Sequence, residues 1–169
     1  MRDWRGLVIH HTVTPETATK KEIYRIHVVE RGWSDIGYHF IVRRRDDDKW
    51  VVEPCRSLSM VGAHALVDNP DAAGSFNSTH IGLAICGNYS LEAPSDAALE
   101  AAAQQAAKLY SAFNMRGAHQ VVGHSELPGA ATECPGKLFD MGAFRSQVLA
   151  HLLAAPMAVL GAGDGSEEV

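Results

Sequence analysis

The apolar positions along the chain follow two periods, which predict strands interleaved with helices. Short β-branched and apolar runs predict strands over Leu7–Val13, Ile36–Arg43, Trp50–Glu53, Ile81–Cys86 and Val121–Val122. Apolar residues that recur with the helical period predict helices over Glu16–Gly32, Ser95–Asn114 and Met141–Ala155. Because strands and helices alternate, the pattern predicts an α/β fold, in which helices flank a mixed central β-sheet of about five to six strands.

Local capping signals support these helices. Thr19 is expected to be the N-cap of the first helix, with Glu22 completing a capping box and Gly32 following the last turn. Ser95 is expected to cap the second helix, and Pro156 to end the third.

Two segments lack a periodic apolar pattern. Ala65–Ser78 is rich in turn-forming residues and is predicted to be a loop. The Gly-rich C-terminal residues 156–169 are predicted to form a flexible tail. With 169 residues, 46% of them hydrophobic, the remaining residues 1–155 fit one catalytic domain.

Charge and hydropathy exclude some partners. The formal net charge is −5, and the one basic run, Arg43–Arg45, is opposed by the acidic residues Asp46–Asp48, so nucleic acid is not an expected partner. No apolar run of about 20 residues predicts membrane insertion. The first ten residues lack the apolar stretch of a signal peptide, so synthesis in the cytoplasm without a signal is expected.

The three cysteines indicate a reducing compartment. Cys55, Cys86 and Cys134 form an odd set, and no disulfide is expected. We interpret Cys55 and Cys86 as small buried hydrophobic residues.

Three separated motifs supply candidate ligands for a metal ion. They are V-I-H-H-T at Val8–Thr12, G-H-S-E at Gly123–Glu126 and T-E-C-P-G at Thr132–Gly136. Two histidines and a cysteinate bind zinc while leaving its fourth position open, as in catalytic sites. Side chains alternate along a strand, so His10 and His11 point to opposite faces and only one of them can be a ligand. The alternation of side chains does not show which of the two histidines is the ligand.

These motifs occur in order with two others, G-W-S-D-I-G-Y-H-F at Gly32–Phe40 and V-G-A-H-A at Val61–Ala65. Together they resemble the type-2 N-acetylmuramoyl-L-alanine amidase superfamily, which includes phage amidase-type lysozymes and peptidoglycan recognition proteins. The resemblance covers about Leu7 to Leu149.

The resemblance implies roles for seven residues. It makes His10, His124 and Cys134 the ligands of a single zinc ion. It makes Tyr38 and Thr132 the catalytic or transition-state groups. It places His64 and Asn77 along the muropeptide cleft.

The resemblance also implies a function. We expect a monomeric zinc-dependent amidase that hydrolyses the amide between N-acetylmuramic acid and L-alanine in peptidoglycan. A phage or prophage endolysin, released to the cell wall through a holin pore, is the expected biological setting, and a cytoplasmic wall-recycling amidase also fits. The alternative is a peptidoglycan recognition module that binds muropeptide without cutting it. Cys134 favours the enzyme, because non-catalytic members of the superfamily usually lack this cysteine. A cysteine peptidase is less favoured, because Cys134 precedes a proline in a loop and does not begin a helix.

The sequence departs from some relatives at the proton shuttle. Some relatives carry a glutamate on the strand that corresponds to residues 81–87. This chain has Ala84 and Cys86 at the positions where such a carboxylate could lie. Where others carry a lysine, this chain has Thr132. The shuttle is therefore either the water at the metal or Tyr38.

Overall fold

A mixed β-sheet forms the centre of the protein. The structure is a computed structural model and describes residues 2–70, 74–115 and 120–154. In these residues the sheet has five strands, in the order β3-β2-β4-β1-β5. They are β1 (Gly6–His11), β2 (Phe40–Arg44), β3 (Trp50–Pro54), β4 (His80–Ile85) and β5 (Val121–Gly123). All neighbouring pairs are parallel except the β2-β3 hairpin, which is antiparallel.

The helices differ in length and type. The α-helices are α1 (Lys20–Tyr24), α2 (Phe76–Thr79), α3 (Asp96–Ala112) and α4 (Met141–Ala154). Helix α1 continues as a π-helical segment, Arg25–Glu30, and a 3₁₀ helix spans His124–Glu126. None of the helices within the described ranges is both long enough and apolar enough to cross a membrane.

Helices cover both faces of the sheet, which confirms the predicted α/β architecture. On one face, Leu7 and Ile9 of β1 share a buried cluster with residues of α3 and α4. On the other face, Ile41 and Ala84 pack with Ile23 of α1. Because side chains alternate along β1, His10 lies on the α1 side of the sheet.

The predicted caps are present. The Thr19 side chain accepts a hydrogen bond from the Glu22 amide, and the Glu22 carboxylate accepts one from the Thr19 amide. Ser95 accepts a hydrogen bond from the Ala98 amide and begins α3. Each bond satisfies an N–H group that the first turn of a helix leaves without an internal partner.

Three predicted boundaries are wrong. The first helix begins at Lys20 rather than Glu16, since Thr19 has extended backbone angles. Strand β2 begins at Phe40 rather than Ile36, because the carbonyl groups of Gly37 and Tyr38 bond to the loop that follows β3. The predicted loop over residues 65–78 contains the start of α2.

The cysteines are free, as expected, with Cys86 buried and Cys55 and Cys134 partly buried. The predicted tail, residues 156–169, and Pro156 lie outside the described residues.

Candidate metal and catalytic site

Three side chains from separate parts of the chain meet at one edge of the sheet. His10 lies near the carboxyl end of β1, and His124 directly follows β5, the parallel neighbour of β1. Cys134 comes from the loop before α4. One nitrogen of each histidine and the Cys134 sulfur all lie within 4.8 Å of one another, and Cys134 Sγ is 3.5 Å from His10 Nδ1.

Backbone hydrogen bonds join the three segments. The Ser125 amide donates to the Cys134 carbonyl at 2.6 Å, which connects the histidine turn to the cysteine loop. The His11 amide donates to Cys134 Sγ at 3.4 Å, which connects the cysteine to β1. The cluster is therefore held by the main chain as well as by packing.

Gly136 allows the cysteine loop to pass close to its neighbour. Its φ is +110°, and a Cβ atom there would lie 2.4 Å from the Tyr89 carbonyl carbon. Only glycine adopts this conformation at low cost and leaves that space free. This accounts for the glycine in the T-E-C-P-G motif.

One distance within the cluster matches that between two ligands of a tetrahedral zinc ion, and all three ligand atoms lie close together. Zinc bonds of about 2.0–2.1 Å to nitrogen and 2.3 Å to sulfur place such ligand atoms about 3.5 Å apart. The distance between His10 Nδ1 and Cys134 Sγ agrees with this value. His10 is buried, whereas His124 and Cys134 are partly exposed, so a fourth position can face solvent.

Both candidate histidines are held in the form that binds metal. Burial, followed by the neighbouring His64 and His124, keeps the pKa of His10 well below its usual value. Burial also lowers the pKa of His124. Neutral imidazole has a free lone pair, which a metal ion requires.

The thiol of Cys134 is not activated as a nucleophile. Burial raises its pKa to about 12, and the hydrogen bond from His11 only partly opposes this shift. Reactive cysteines have a lowered pKa, supplied by a cationic group or a helix N-terminus. A bound metal cation would stabilise the thiolate, so the surroundings of Cys134 suit a ligand better than a nucleophile.

The structure separates the two adjacent histidines of β1. His10 faces His124 and Cys134, with ring centroids of His10 and His124 4.7 Å apart. His11 points to the opposite face, where its Nδ1 accepts a hydrogen bond from the Tyr89 amide at 3.1 Å. Of the two, only His10 belongs to the cluster.

Tyr38 lies beside the cluster, just before β2. Its ring centroid is 5.1 Å from that of His10 and 5.2 Å from that of His27. Burial, and secondarily the nearby Cys134, raises the pKa of the Tyr38 hydroxyl well above its usual value. The hydroxyl therefore stays neutral and can donate a proton in a hydrogen bond.

Thr132 lies on the exposed side of the cysteine loop. Its hydroxyl oxygen accepts a hydrogen bond from the Cys134 amide at 3.1 Å. A hydroxyl that accepts one bond can still donate its own proton. Thr132 thus shapes the loop that carries Cys134 and keeps a donor for a bound molecule.

The two residues expected along the cleft lie inside the protein. His64 is 8% exposed and Asn77 is 6% exposed. His64 Nδ1 lies 3.0 Å from His10 Nε2, and Asn77 Oδ1 accepts from the His64 amide. Both side chains support the cluster from behind, which sequence reasoning missed because neither residue is near His10 in the chain.

Neither Glu126 nor Ala84 supplies a carboxylate beside the candidate ligands. Glu126 accepts hydrogen bonds from the Gly123 amide and from Arg145, so it stabilises the turn after β5 instead of orienting a histidine. Ala84, which pairs with His10 in the register of β4 and β1, is fully buried and supplies no polar group.

Two surface depressions are lined by residues that follow β1 and β4 or that neighbour the candidate ligands in the chain. A cavity of about 300 Å³ includes Thr14, Gly87 and Tyr89 in its wall, and one of about 500 Å³ includes Glu133 and Pro135. A larger cavity of about 940 Å³ involves Arg2 and Arg5 and lies beyond the start of β1, at the end of the strand opposite His10. Size alone therefore does not mark the candidate site.

The fold and the cluster define an α/β protein with one candidate metal site of two histidines and a cysteine. A family model described as N-acetylmuramoyl-L-alanine amidase matches residues 1–137, and the chain belongs to this family.

Similar proteins include amidases and recognition proteins. The N-acetylmuramoyl-L-alanine amidase of Sus scrofa is 34% identical over 146 residues, which cover 80% of this chain and 22% of that protein. Peptidoglycan-recognition protein SC2 of Drosophila simulans is 32% identical over 136 residues, covering 76% of this chain and 66% of that protein. The chain thus spans about a fifth of the length of the mammalian relative.

A solved structure also has this fold. The N-acetylmuramoyl-L-alanine amidase LysC from Clostridium intestinale URNW superimposes with a TM-score of 0.71 at 27% identity, covering 88% of this chain and 87% of that chain.

Proposed function

We propose that the protein is a zinc-dependent N-acetylmuramoyl-L-alanine amidase that hydrolyses the amide between N-acetylmuramic acid and L-alanine in peptidoglycan. The cluster of His10, His124 and Cys134 is the observation that carries this proposal. Its donor set, its spacing and the neutral state of its histidines all suit one zinc ion with an open position.

The residues of the chain divide the chemistry between them. His10, His124 and Cys134 would hold the ion, which would supply a water nucleophile near neutral pH and polarise the carbonyl group. Tyr38 donates a hydrogen bond to the oxygen on which negative charge develops, and the Thr132 hydroxyl is a second donor. Each hydrogen bond strengthens as negative charge develops on that oxygen, so each donor stabilises the transition state more than the neutral substrate.

Either Tyr38 or the attacking water donates a proton to the leaving amine. No carboxylate belongs to the cluster, and Ala84 takes the buried strand position beside His10. The Tyr38 hydroxyl is neutral and adjacent to the cluster, so it can give its proton to the leaving amine as it takes up the proton that the attacking water loses, and it remains neutral.

The names of the relatives support the substrate class. Amidases of N-acetylmuramoyl-L-alanine and peptidoglycan-recognition proteins both match this chain. The partner we propose is accordingly peptidoglycan or a soluble muropeptide, bound by the monomer.

A role as an endolysin also forms part of the proposal. The endolysin LysCS from Clostridium intestinale URNW has this fold with a TM-score of 0.69 at 27% identity. A lysin made in the cytoplasm and released through a holin pore would meet the cell wall from inside. Expression in a bacterium with and without a holin tests this role, because only the pair should cause lysis.

Hydrolysis of purified peptidoglycan tests the activity. The as-isolated protein, the chelated protein and the zinc-restored protein are compared, and soluble products are identified by mass spectrometry. We expect free stem peptides with an N-terminal L-alanine, lost on chelation and recovered with zinc. Cys134→Ser should abolish the products, whereas the matched variant Cys55→Ser should keep them, because Cys55 lies outside the cluster.

The alternative function is recognition without cleavage, which the similarity to peptidoglycan-recognition protein SC2 favours. Binding to the wall without any soluble product, in the zinc-loaded protein, would establish that alternative. Cleavage within the stem peptide that resists chelation would instead indicate a cysteine peptidase.

A further inference from the structure

We propose that His64 is a positioning residue that fixes the tautomer and ring orientation of His10, so that His10 Nδ1 points to the metal position. The inference rests on the proposed zinc site and deepens it. His64 is buried on the side of His10 away from Cys134: His10 Nε2 lies 3.0 Å from His64 Nδ1, while His10 Nδ1 lies 3.5 Å from Cys134 Sγ.

The hydrogen bonds determine where each proton lies. His64 Nε2 is 3.1 Å from the His80 carbonyl oxygen, which can only accept, so His64 carries its proton on Nε2. The Nδ1 atom of a neutral His64 is then an acceptor, and His10 Nε2 must be the donor. A neutral His10 is left with its lone pair on Nδ1, facing Cys134.

Two glycines make room for the His64 ring. A Cβ atom on Gly82 or on Gly62 would lie 2.5 Å from His64 Cδ2. Gly82 is in the interior of β4, where glycine weakens a strand unless another group must approach closely. Here the approaching group is the His64 imidazole, which fits between the two backbones.

Asn77 holds the backbone of His64. Its Oδ1 atom accepts from the amides of His64 and Ala65, each at 2.7 Å, and its carbonyl accepts from the Gly62 amide at 2.9 Å. Gly62, His64 and Ala65 of the V-G-A-H-A motif therefore form, with Asn77, one buried support for His10.

The first test needs no metal. Long-range proton–nitrogen correlations of the imidazole rings in the metal-free protein tell a protonated ring nitrogen from an unprotonated one. We expect protons on Nε2 of both His10 and His64, and loss of the single tautomer of His10 in His64→Phe. A proton on Nδ1 of His10 in the metal-free wild type would overturn the inference.

The second test measures zinc affinity by competition with a chelator. His64→Phe keeps a ring in the space but removes the acceptor, and we expect about 10- to 100-fold weaker binding, as for other residues that orient a metal ligand. His64→Asn retains an acceptor close to the Nδ1 position and should recover part of the affinity. Gly82→Ala, which displaces the ring while His64 is intact, should also weaken binding.

Two controls separate the possible failures. Val148→Ala removes two methyl groups from the core on the opposite face of the sheet and should lower the unfolding temperature without changing zinc affinity. Cys134→Ser should lose zinc. If the wild type and Cys134→Ser bind zinc alike, the proposed site fails and the inference with it. If Cys134→Ser loses zinc but His64→Phe binds it like the wild type, only the role of His64 is overturned.

Discussion

Tyr38 has a hydroxyl group close to a candidate ligand and a pKa that burial keeps high. An uncharged donor in a partly buried place stabilises a developing oxyanion strongly, because little water competes for the bond. Its catalytic role in the proposed reaction can be tested by removing a single oxygen atom.

We expect Tyr38→Phe to lower kcat and kcat/KM together by about 100- to 1,000-fold, because the lost bond forms in the transition state. Zinc affinity and the unfolding temperature should change little. Tyr24→Phe removes the same atom from an exposed position on α1 and should behave as wild type. A Tyr38→Phe enzyme with full kcat would exclude Tyr38 as donor and as proton shuttle.

Gly136 is the second test at the scale of one residue. Gly136→Ala puts a methyl group against the Tyr89 backbone at a φ of +110°, so we expect a loss of more than about 2 kcal/mol in the free energy of unfolding, and weaker zinc binding. Gly129→Ala is the matched control, since its φ is +80° but no atom lies within 4 Å of the added Cβ. It should lose only about 1 kcal/mol through backbone strain. Equal losses of unfolding free energy in the two variants, measured by urea unfolding, would contradict the role of the close contact between Gly136 and the Tyr89 backbone.

At the scale of elements, parallel pairing brings the site together. Strands β1 and β5 run the same way, so the end of β5 delivers His124 beside His10. Helix α3 lies on the face of the sheet opposite His10, where it buries small side chains against β1 and β4. A substitution that destabilises α3 should therefore leave the activity of the site unchanged.

The N-cap of α3 provides the corresponding prediction. Ser95→Ala removes the oxygen that accepts from the Ala98 amide and should cost about 1 kcal/mol in the free energy of unfolding. Ser111→Ala makes the same change at an exposed position inside α3, where alanine is the better helix former, and should be neutral or slightly stabilising. The hydrolysis rate should be unchanged in both. A Ser95→Ala variant as stable as Ser111→Ala in thermal unfolding would refute the cap.

At the scale of the whole molecule, buried histidines make stability depend on pH. Burial lowers the pKa of both His27 and His39 to about 4. Each accepts a backbone hydrogen bond at Nδ1, from Gly37 and Gly82 respectively, and protonation would abolish that bond. The folded protein therefore keeps both rings neutral in weakly acidic solution.

The sign of the effect follows from proton uptake. Above pH 6.5 both states are neutral at these rings, and the stabilisation is fully present. As the pH falls from about 6.5 to 4, the unfolded chain binds protons that the folded protein does not, so stability falls by about 2 to 3 kcal/mol for each histidine. Urea unfolding at pH 7, 6, 5 and 4 measures this loss. His27→Gln keeps an acceptor for Gly37 and should show a shallower dependence; equal midpoints at pH 7 and pH 5 in the wild type would disprove the effect.

Local signals were sufficient to predict much of the fold. The period of apolar residues identified five strands, and short-range capping chemistry located the starts of α1 and α3. These features depend on neighbours within a few residues, so the sequence carries them directly. The ordered motifs also identified the family, which the family model confirms.

Only the tertiary structure decided the matters that depend on distant contacts. Alternation left His10 and His11 equivalent; the family resemblance selected His10, and the structure supplies the physical reason, since the His10 face of β1 meets the loop of Cys134. The contact between His64 and His10 was also visible only in the structure, where Gly62 and Gly82 leave room for the His64 ring. Periodicity determines which residues share a face; what that face meets depends on chain segments more than fifty residues away, and that information exists only once the chain has folded.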